Sequence, residues 1–308
     1  MVTDELIAAA ERGDLEALVQ LDACGLLIGD GEDSPAYAER LRCLRRNIGR
    51  MDDELRRTGL FTVEGVGVQA DSRIPEAVFA EARAETERLY DFQIDWVPGF
   101  FINPQYSLLF GGCAFYFYPD FFALFIIRRA FARRERWLIY GRRELLAHEL
   151  CHVARIGLGS RVYEELFAYQ TATSAFRRFT GSIFRSQAEA MALLGSTLAL
   201  LAAQMVRTLA WPAVPVWPFW GLVVGVGLWL VVHLLRLQRR FDAALRAAEW
   251  LAPGRARAML FRCTDDEIDA LAGLDTPAAA QSWLASRGAS SCRWRVIRVR
   301  FAGGPGAV

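Results

Sequence analysis

Two histidines and a glutamate lie close together in the stretch LLAHELCHVAR, as His148, Glu149 and His152, in a chain with only three histidines among 308 residues. Leucine and alanine recur there at helical spacing without proline or glycine, which predicts a helix. Residues four apart share one helix face, so both imidazoles can bind one Zn²⁺ while Glu149 serves as general base for a water that the ion activates. The alternative is a chance match to a short pattern.

A catalytic zinc needs three protein ligands and one open position. Glycines at 157 and 159 break the motif helix, and a second helix can begin near residue 161 or 162. If the two helices form a hairpin, Glu164 or Glu165 comes level with His152, because the rise per residue is the same in both arms. Adjacent residues point about 100° apart on a helix, so we expect only one of the two glutamates to face the metal.

The segments HELCH and EELFA resemble the zincin metallopeptidases of the gluzincin type, whose second helix carries a glutamate ligand in patterns such as ExxA. The resemblance covers about residues 120–175. It implies Glu165 as the third ligand, because Glu164 would put Phe167 where the pattern has a small residue; Glu164 is the alternate. It also implies that the run FALFIIRRAF (122–131) supplies the edge strand that holds an extended peptide substrate.

Two long apolar stretches follow the motif region. Ala190–Val206 and Trp211–Leu235 contain no Asp, Glu, Lys or Arg, and their lengths are close to what a helix needs to cross a hydrocarbon layer of ~30 Å. We therefore predict transmembrane helices at about 188–206 and 214–235, joined by a short turn rich in Trp and Pro. The alternative is a buried helical hairpin in a large soluble domain.

The charge distribution predicts the orientation of these helices. Arginines precede the first stretch (FRRFTGSIFR) and follow the second (RLQRRF), whereas the connecting turn holds only Arg207. By the positive-inside rule both flanks are cytosolic, and the opening residues do not resemble a signal peptide. We expect an integral protein of a bacterial inner membrane with the catalytic domain and both termini in the cytosol. Lys and Arg (36) nearly balance Asp and Glu (35), which gives no indication of a nucleic-acid partner.

The predicted fold class is α+β, with a zincin-like core built from a small sheet, the active-site helix and the glutamate helix. Residues 1–90 form a helical region, 91–186 the catalytic core and 187–237 the transmembrane pair. Residues 238–308 form a small, mostly helical cytosolic region with a disordered tail. Within residues 238–308, the segment CRWRVIRVRF (292–301) predicts a closing strand.

Together these features predict a membrane-anchored zinc metallopeptidase acting on peptide or protein substrates. The main alternative is a membrane-bound scaffold that retains a zincin fold with a structural or inactive metal site; the presence of Glu149 favours the enzyme. Two residues have open roles. Tyr169, one turn beyond Glu165, could donate to an oxyanion or pack as an aromatic, and His233 could be an interfacial, helix-packing or proton-path residue. The oligomeric state is not predicted.

Overall fold

The computed structural model describes residues 2–63, 65–103, 111–117, 122–138, 140–287 and 291–303. Over these residues the chain is α+β and mostly helical (67%), with small sheets and two long apolar helices. The predicted α+β class is therefore confirmed, whereas the zincin fold stays a prediction. The predicted disorder of the tail concerns positions 304–308, which lie outside the described residues.

The N-terminal region contains, in chain order, α1 (Asp4–Glu11), α2 (Leu15–Ala23), α3 (Ser34–Thr58), β1 (Leu60–Val63), β2 (Val66–Gln69) and α4 (Glu76–Tyr90). Helices α1, α2 and α3 begin at capping side chains, since Thr3, Asp14 and Asp33 each accept a hydrogen bond from a backbone N–H of the first turn. The antiparallel β1–β2 hairpin lies within this mainly helical region.

A three-stranded sheet follows, made of β3 (Gly99–Ile102), β4 (Gly112–Phe117) and β5 (Phe122–Arg128). Strand β5 lies in the centre, parallel to β3 and antiparallel to β4. Gly112 fits where β4 approaches β5 closely, because a Cβ atom on it would lie 2.8 Å from the Ile126 carbonyl oxygen. Because β5 is central, β4 is one edge of this sheet among the described strands.

The prediction that FALFIIRRAF forms the edge strand is wrong. Strand β5 is paired along both edges and buried on both faces: Leu124 packs with residues of α3, whereas Phe125 packs with residues of α4. A strand covered on both sides is apolar without alternation, which is the pattern of this run. The two outer strands of this sheet are β3 and β4.

The motif region contains the short strands β6 (Arg136–Trp137) and β7 (Tyr140–Gly141) and then α5 (Arg142–Arg155), α6 (Glu164–Tyr169) and α7 (Ala175–Thr180). The predicted motif helix is confirmed as α5. It buries Leu146, Leu150 and Val153, which recur at helical spacing, in the same hydrophobic cluster as residues of α4. This packing fixes the orientation of α5 and leaves His148 and Glu149 in the lining of a cleft.

Two helices are long and apolar enough to cross a membrane, α8 (Gln187–Leu209) and α9 (Trp217–Leu251). Helix α8 contains the predicted span 188–206, whereas α9 begins three residues after the predicted start of the second span, 214–235, and continues as one helix well beyond its end. In the most apolar stretches of the two helices only 22% and 11% of the residues are buried. The exposed side chains are large and apolar, as Leu228 (61% exposed) and Trp217 (75%) illustrate.

The C-terminal region is helical, with α10 (Ala256–Leu260), α11 (Asp265–Ala272), α12 (Pro277–Arg287), α13 (Cys292–Ile297) and a π-helical turn (Arg298–Ala302). The strand predicted at 292–301 is therefore wrong. Trp294, Ile297 and Phe301 share one helical face and enter the main hydrophobic cluster. The charged Arg293, which suggested alternation, is itself buried and pairs with Glu267 at 2.8 Å.

One hydrophobic cluster joins the motif region to the C-terminal region. It contains Phe167 from α6, Phe241 and Ala248 from α9, and Phe261 after α10. The rings of Phe167 and Phe241 meet edge to face with centroids 5.3 Å apart. The motif region therefore shares its core with residues that the sequence placed in a separate C-terminal segment.

Candidate metal centre

Helices α5 and α6 bring His148, His152 and Glu165 together. The two Nε2 atoms lie 3.1 Å apart, and the Glu165 carboxylate oxygens lie 3.6 Å from Nε2 of His148 and 3.7 Å from Nε2 of His152. Two ligands at ~2.1 Å from a tetrahedral zinc would be about 3.4 Å apart. The three donor atoms therefore fit around one such ion, and they form the His/Glu group that could hold a metal within the described part of the chain.

A clamped turn positions α6 against α5. The chain leaves α5 through a 3₁₀ turn (Ile156–Leu158) and reverses at Gly159, whose φ of +60° is in the left-handed region that favours glycine. Asp265 at the start of α11 then accepts hydrogen bonds from the N–H groups of Arg161 and Val162, at 2.7 and 2.8 Å. These hydrogen bonds hold the segment before α6, which begins at Glu164 rather than at the predicted 161 or 162.

The structure gives the two adjacent glutamates different positions. Glu165 faces the Nε2 atoms of both histidines, whereas Glu164 contacts the opposite nitrogen, Nδ1, of His152 at 3.0 Å. The second oxygen of Glu164 accepts a hydrogen bond from the buried Arg155 at 2.9 Å. Glu164 is therefore placed to orient an imidazole through its far nitrogen, and Glu165 is the carboxylate placed to bind a metal.

Burial and neighbouring charges set opposite pKa shifts for the two histidines. Burial, assisted by the nearby His152, lowers the pKa of His148 to about 3, so this imidazole is neutral and available as a ligand. Burial also lowers the pKa of His152, but the hydrogen bond and charge of Glu164 outweigh it and raise that pKa to about 9. A metal ion at Nε2 of His152 must therefore displace a proton.

Glu149 lies beside this group and is held by the sheet edge. Its Oε2 accepts a hydrogen bond from the backbone N–H of Ala114 in β4 at 3.0 Å. Burial raises its pKa, with His152 and the Ala114 amide acting in the opposite direction. The site therefore has a carboxylate that is separate from the three donor residues and is anchored on the edge strand β4.

A cleft of about 280 Å³ opens in front of His148 and Glu149. Its walls include Gly112 of β4, Tyr140 of β7 and Arg177 of α7. A water and a peptide carbonyl can therefore reach the donor group from this side. The cleft is bounded by β4, so an extended chain lying along that edge would pass the donor group.

The two residues with open roles occupy different places. Tyr169 lines the cleft, and its ring meets the ring of His148 edge to face with centroids 4.7 Å apart, so it packs on a candidate ligand. His233 lies in α9, where its Nδ1 is 2.5 Å from the Arg185 guanidinium. The structure therefore places His233 in a contact between α9 and the residues that precede α8.

Two residues that position the centre were absent from the sequence reasoning. Asp265 clamps the turn before α6, and Arg155 connects Glu164 to the backbone carbonyl of Phe261. Both act across more than a hundred positions of the chain, as the separation of 104 between Arg161 and Asp265 shows. No local spacing indicates such partners.

Comparison of the chain with models of known protein families, with curated proteins and with solved structures finds no match in any of the three. The resemblance to gluzincins therefore depends on the residues of HELCH and EELFA and on the geometry of their side chains.

Proposed function

We propose that this protein is a membrane-anchored zinc metallopeptidase. His148, His152 and Glu165 bind the zinc, and Glu149 is the general base. The observation that carries the proposal is the convergence of two imidazole Nε2 atoms and one carboxylate at 3.1 to 3.7 Å, with a second, independently anchored carboxylate beside them. Of these groups, His148 and Glu149 line one cleft.

The arrangement supplies the chemistry of peptide hydrolysis. A zinc ion bound there would lower the pKa of water and polarise the substrate carbonyl. Glu149 accepts the proton of the attacking water and later donates it to the leaving amine. Burial raises its pKa, which makes Glu149 a better acceptor for that proton. Strand β4 can hold the substrate in extended form, because its outer edge borders the cleft.

The alternative function is a membrane-bound scaffold with a structural or inactive metal site. Structural zinc sites are closed by four protein ligands, whereas the described residues supply a group of three, of which His148 lines an open cleft. A structural site also has no use for a carboxylate such as Glu149, which is held by Ala114 and is not one of the three donors. These observations favour the enzyme.

The membrane location is supported by the surface of α8 and α9. In a buried hairpin of a soluble domain the apolar stretches would be covered by protein, but here most of their residues are exposed. Tryptophans occur near the turn between the helices, at Trp211, Trp217 and Trp220, where an aromatic belt meets the membrane interface. Arginines flank the opposite ends.

The orientation can be tested with reporter fusions. Because arginines precede α8 and follow α9, we expect fusions after residue 180 and after residue 245 to report from the cytosol. A fusion after residue 212, in the turn between the helices, is expected to report from the other side. The activities of a periplasmic and a cytosolic reporter at each site provide the measurement. External signals at 180 and 245 would contradict both the compartment and the anchor.

Metal removal tests the proposed activity. Detergent-purified protein should cleave a pool of mixed-sequence peptides, and a chelator should abolish cleavage because the histidines and Glu165 are the only groups proposed to hold the zinc. Added zinc should restore it. Mass spectrometry of the pool measures the new peptide ends. Cleavage that survives complete zinc removal, or no cleavage by zinc-loaded protein, would contradict the proposal.

A further inference from the structure

A polar cluster marks the level at which α8 and α9 leave the apolar layer. The backbone N–H and the guanidinium of Arg185 donate to the Glu189 carboxylate at 2.7 and 2.6 Å, and the same guanidinium contacts His233 of α9 at 2.5 Å. The uncharged stretches begin just after Glu189 and end just after His233, at Leu235. Charged groups settle at the edge of the hydrocarbon rather than inside it, so this cluster defines the membrane boundary.

Helix α9 connects that boundary rigidly to the metal centre. It runs without a break from Trp217 to Leu251, and Phe241 lies eight positions beyond His233, which corresponds to ~12 Å of helix. Phe241 is buried and meets Phe167 with ring centroids 5.3 Å apart. Phe167 belongs to α6, the helix that carries Glu165. The height of the metal centre above the boundary is therefore set at roughly two helical turns.

A second, independent connection limits the same height. The backbone of Gly181 lies against the ring of Tyr169, since a Cβ atom on Gly181 would be 2.1 Å from Cγ of Tyr169. Tyr169 in turn packs on His148. Ser186, the N-cap of α8, follows Gly181 by only five positions, and five residues span at most ~18 Å. The candidate ligands therefore cannot lie far from the start of the first span.

Helix α7 joins the cleft to the membrane side. Its Arg177 lines the cleft, whereas Phe176 (74% exposed) and Phe179 (45% exposed) present bare aromatic rings. The segment leads directly into α8, and Phe184 is also exposed. A short helix with exposed aromatic rings and adjacent arginines, next to a membrane span, fits the headgroup layer. One wall of the cleft thus lies at the bilayer surface.

We propose, on the basis of the peptidase and membrane assignments above, that the substrates are membrane-anchored polypeptides cut in the segment next to the bilayer. A height of ~12 Å corresponds to about four extended residues. An oblique approach to the cleft lengthens the path, so the scissile bond lies within roughly ten residues of the membrane boundary. Two chain connections hold the metal centre at a fixed height above the membrane boundary. This height determines how far from the membrane the substrate is cut.

The test uses the full-length, zinc-loaded protein in phosphatidylcholine nanodiscs. The probe is a pool of thirty-residue peptides of mixed sequence, carried on a diacyl lipid at the N-terminus in one set and at the C-terminus in another. The same pool without lipid is the control, and Glu149→Gln protein is the blank. Mass spectrometry gives the position of each cut. We expect cuts in at least one anchored set to concentrate within about ten residues of the lipid, and cuts in the free pool to be spread along the peptides.

The position of the cuts is the readout, because the total rate does not distinguish the two explanations. A lipid anchor raises the local concentration of every bond in the peptide, and so raises the total rate even if the metal centre has no fixed height above the membrane. Cuts that are spread in both anchored sets as in the free pool would overturn the substrate class while leaving the peptidase proposal standing. Failure to cut any pool, with zinc content verified, would overturn the peptidase proposal and the substrate class with it.

Discussion

Glu149→Gln is expected to lower the rate of peptide cleavage by ~10² to 10⁴, the usual effect of losing a positioned general base, while the protein keeps its zinc. The amide has nearly the same shape as the carboxylate, and its oxygen can still accept the hydrogen bond from Ala114. It cannot accept the proton of the attacking water. Rates of peptide cleavage and zinc content measured on the same preparation separate the two effects.

Glu16→Gln is the matched control for this change, since Glu16 lies exposed on α2, away from the cleft. It should leave the rate unchanged. If Glu149→Gln also leaves the rate unchanged, the general-base role is wrong. If neither the wild type nor the variant cleaves peptides and both complement a deletion phenotype equally well, the scaffold function is correct.

Measured zinc content is expected to show which of the two adjacent glutamates, Glu164 or Glu165, binds the metal. Wild-type protein should hold about one zinc ion per chain, and His148→Ala and Glu165→Gln should lose most of it when zinc is limiting, because each removes one of three protein ligands. Glu164→Gln should keep the ion at saturating zinc with an affinity ~10 to 100-fold lower, the usual effect of changing a group that orients a ligand. Elemental analysis and competition with a chelating dye measure both quantities.

Glu164→Gln is a close control for Glu165→Gln, because the two changes are chemically identical and adjacent in α6. Glu164 also pairs with the buried Arg155, so thermal unfolding of each variant should be recorded to show that the protein is folded. The assignment of ligands would be reversed if Glu164→Gln lost the metal while Glu165→Gln kept it. Wild-type protein without any metal, purified in the absence of chelator, would contradict the centre altogether.

The sequence by itself determined the features that depend on neighbouring positions. The spacing of His148 and His152 defined one helical face, and the glycines after them restricted the candidates for a third ligand to Glu164 and Glu165. The apolar stretches defined the two long helices. In each case the decisive property is a period or a run within a few turns of chain, and such a property does not change with the surrounding fold.

Only the tertiary structure decided the features that depend on partners far away in the chain. It made β5 the central strand and β4 the edge, gave Glu164 and Glu165 different sides of His152, and extended α9 into the core that surrounds Phe167. Residues 292–301 are helical in the structure, where Arg293 is buried and forms an ion pair with Glu267. Burial and pairing across such distances reverse local preference, since the free energy they contribute comes from segments that no short stretch of sequence contains.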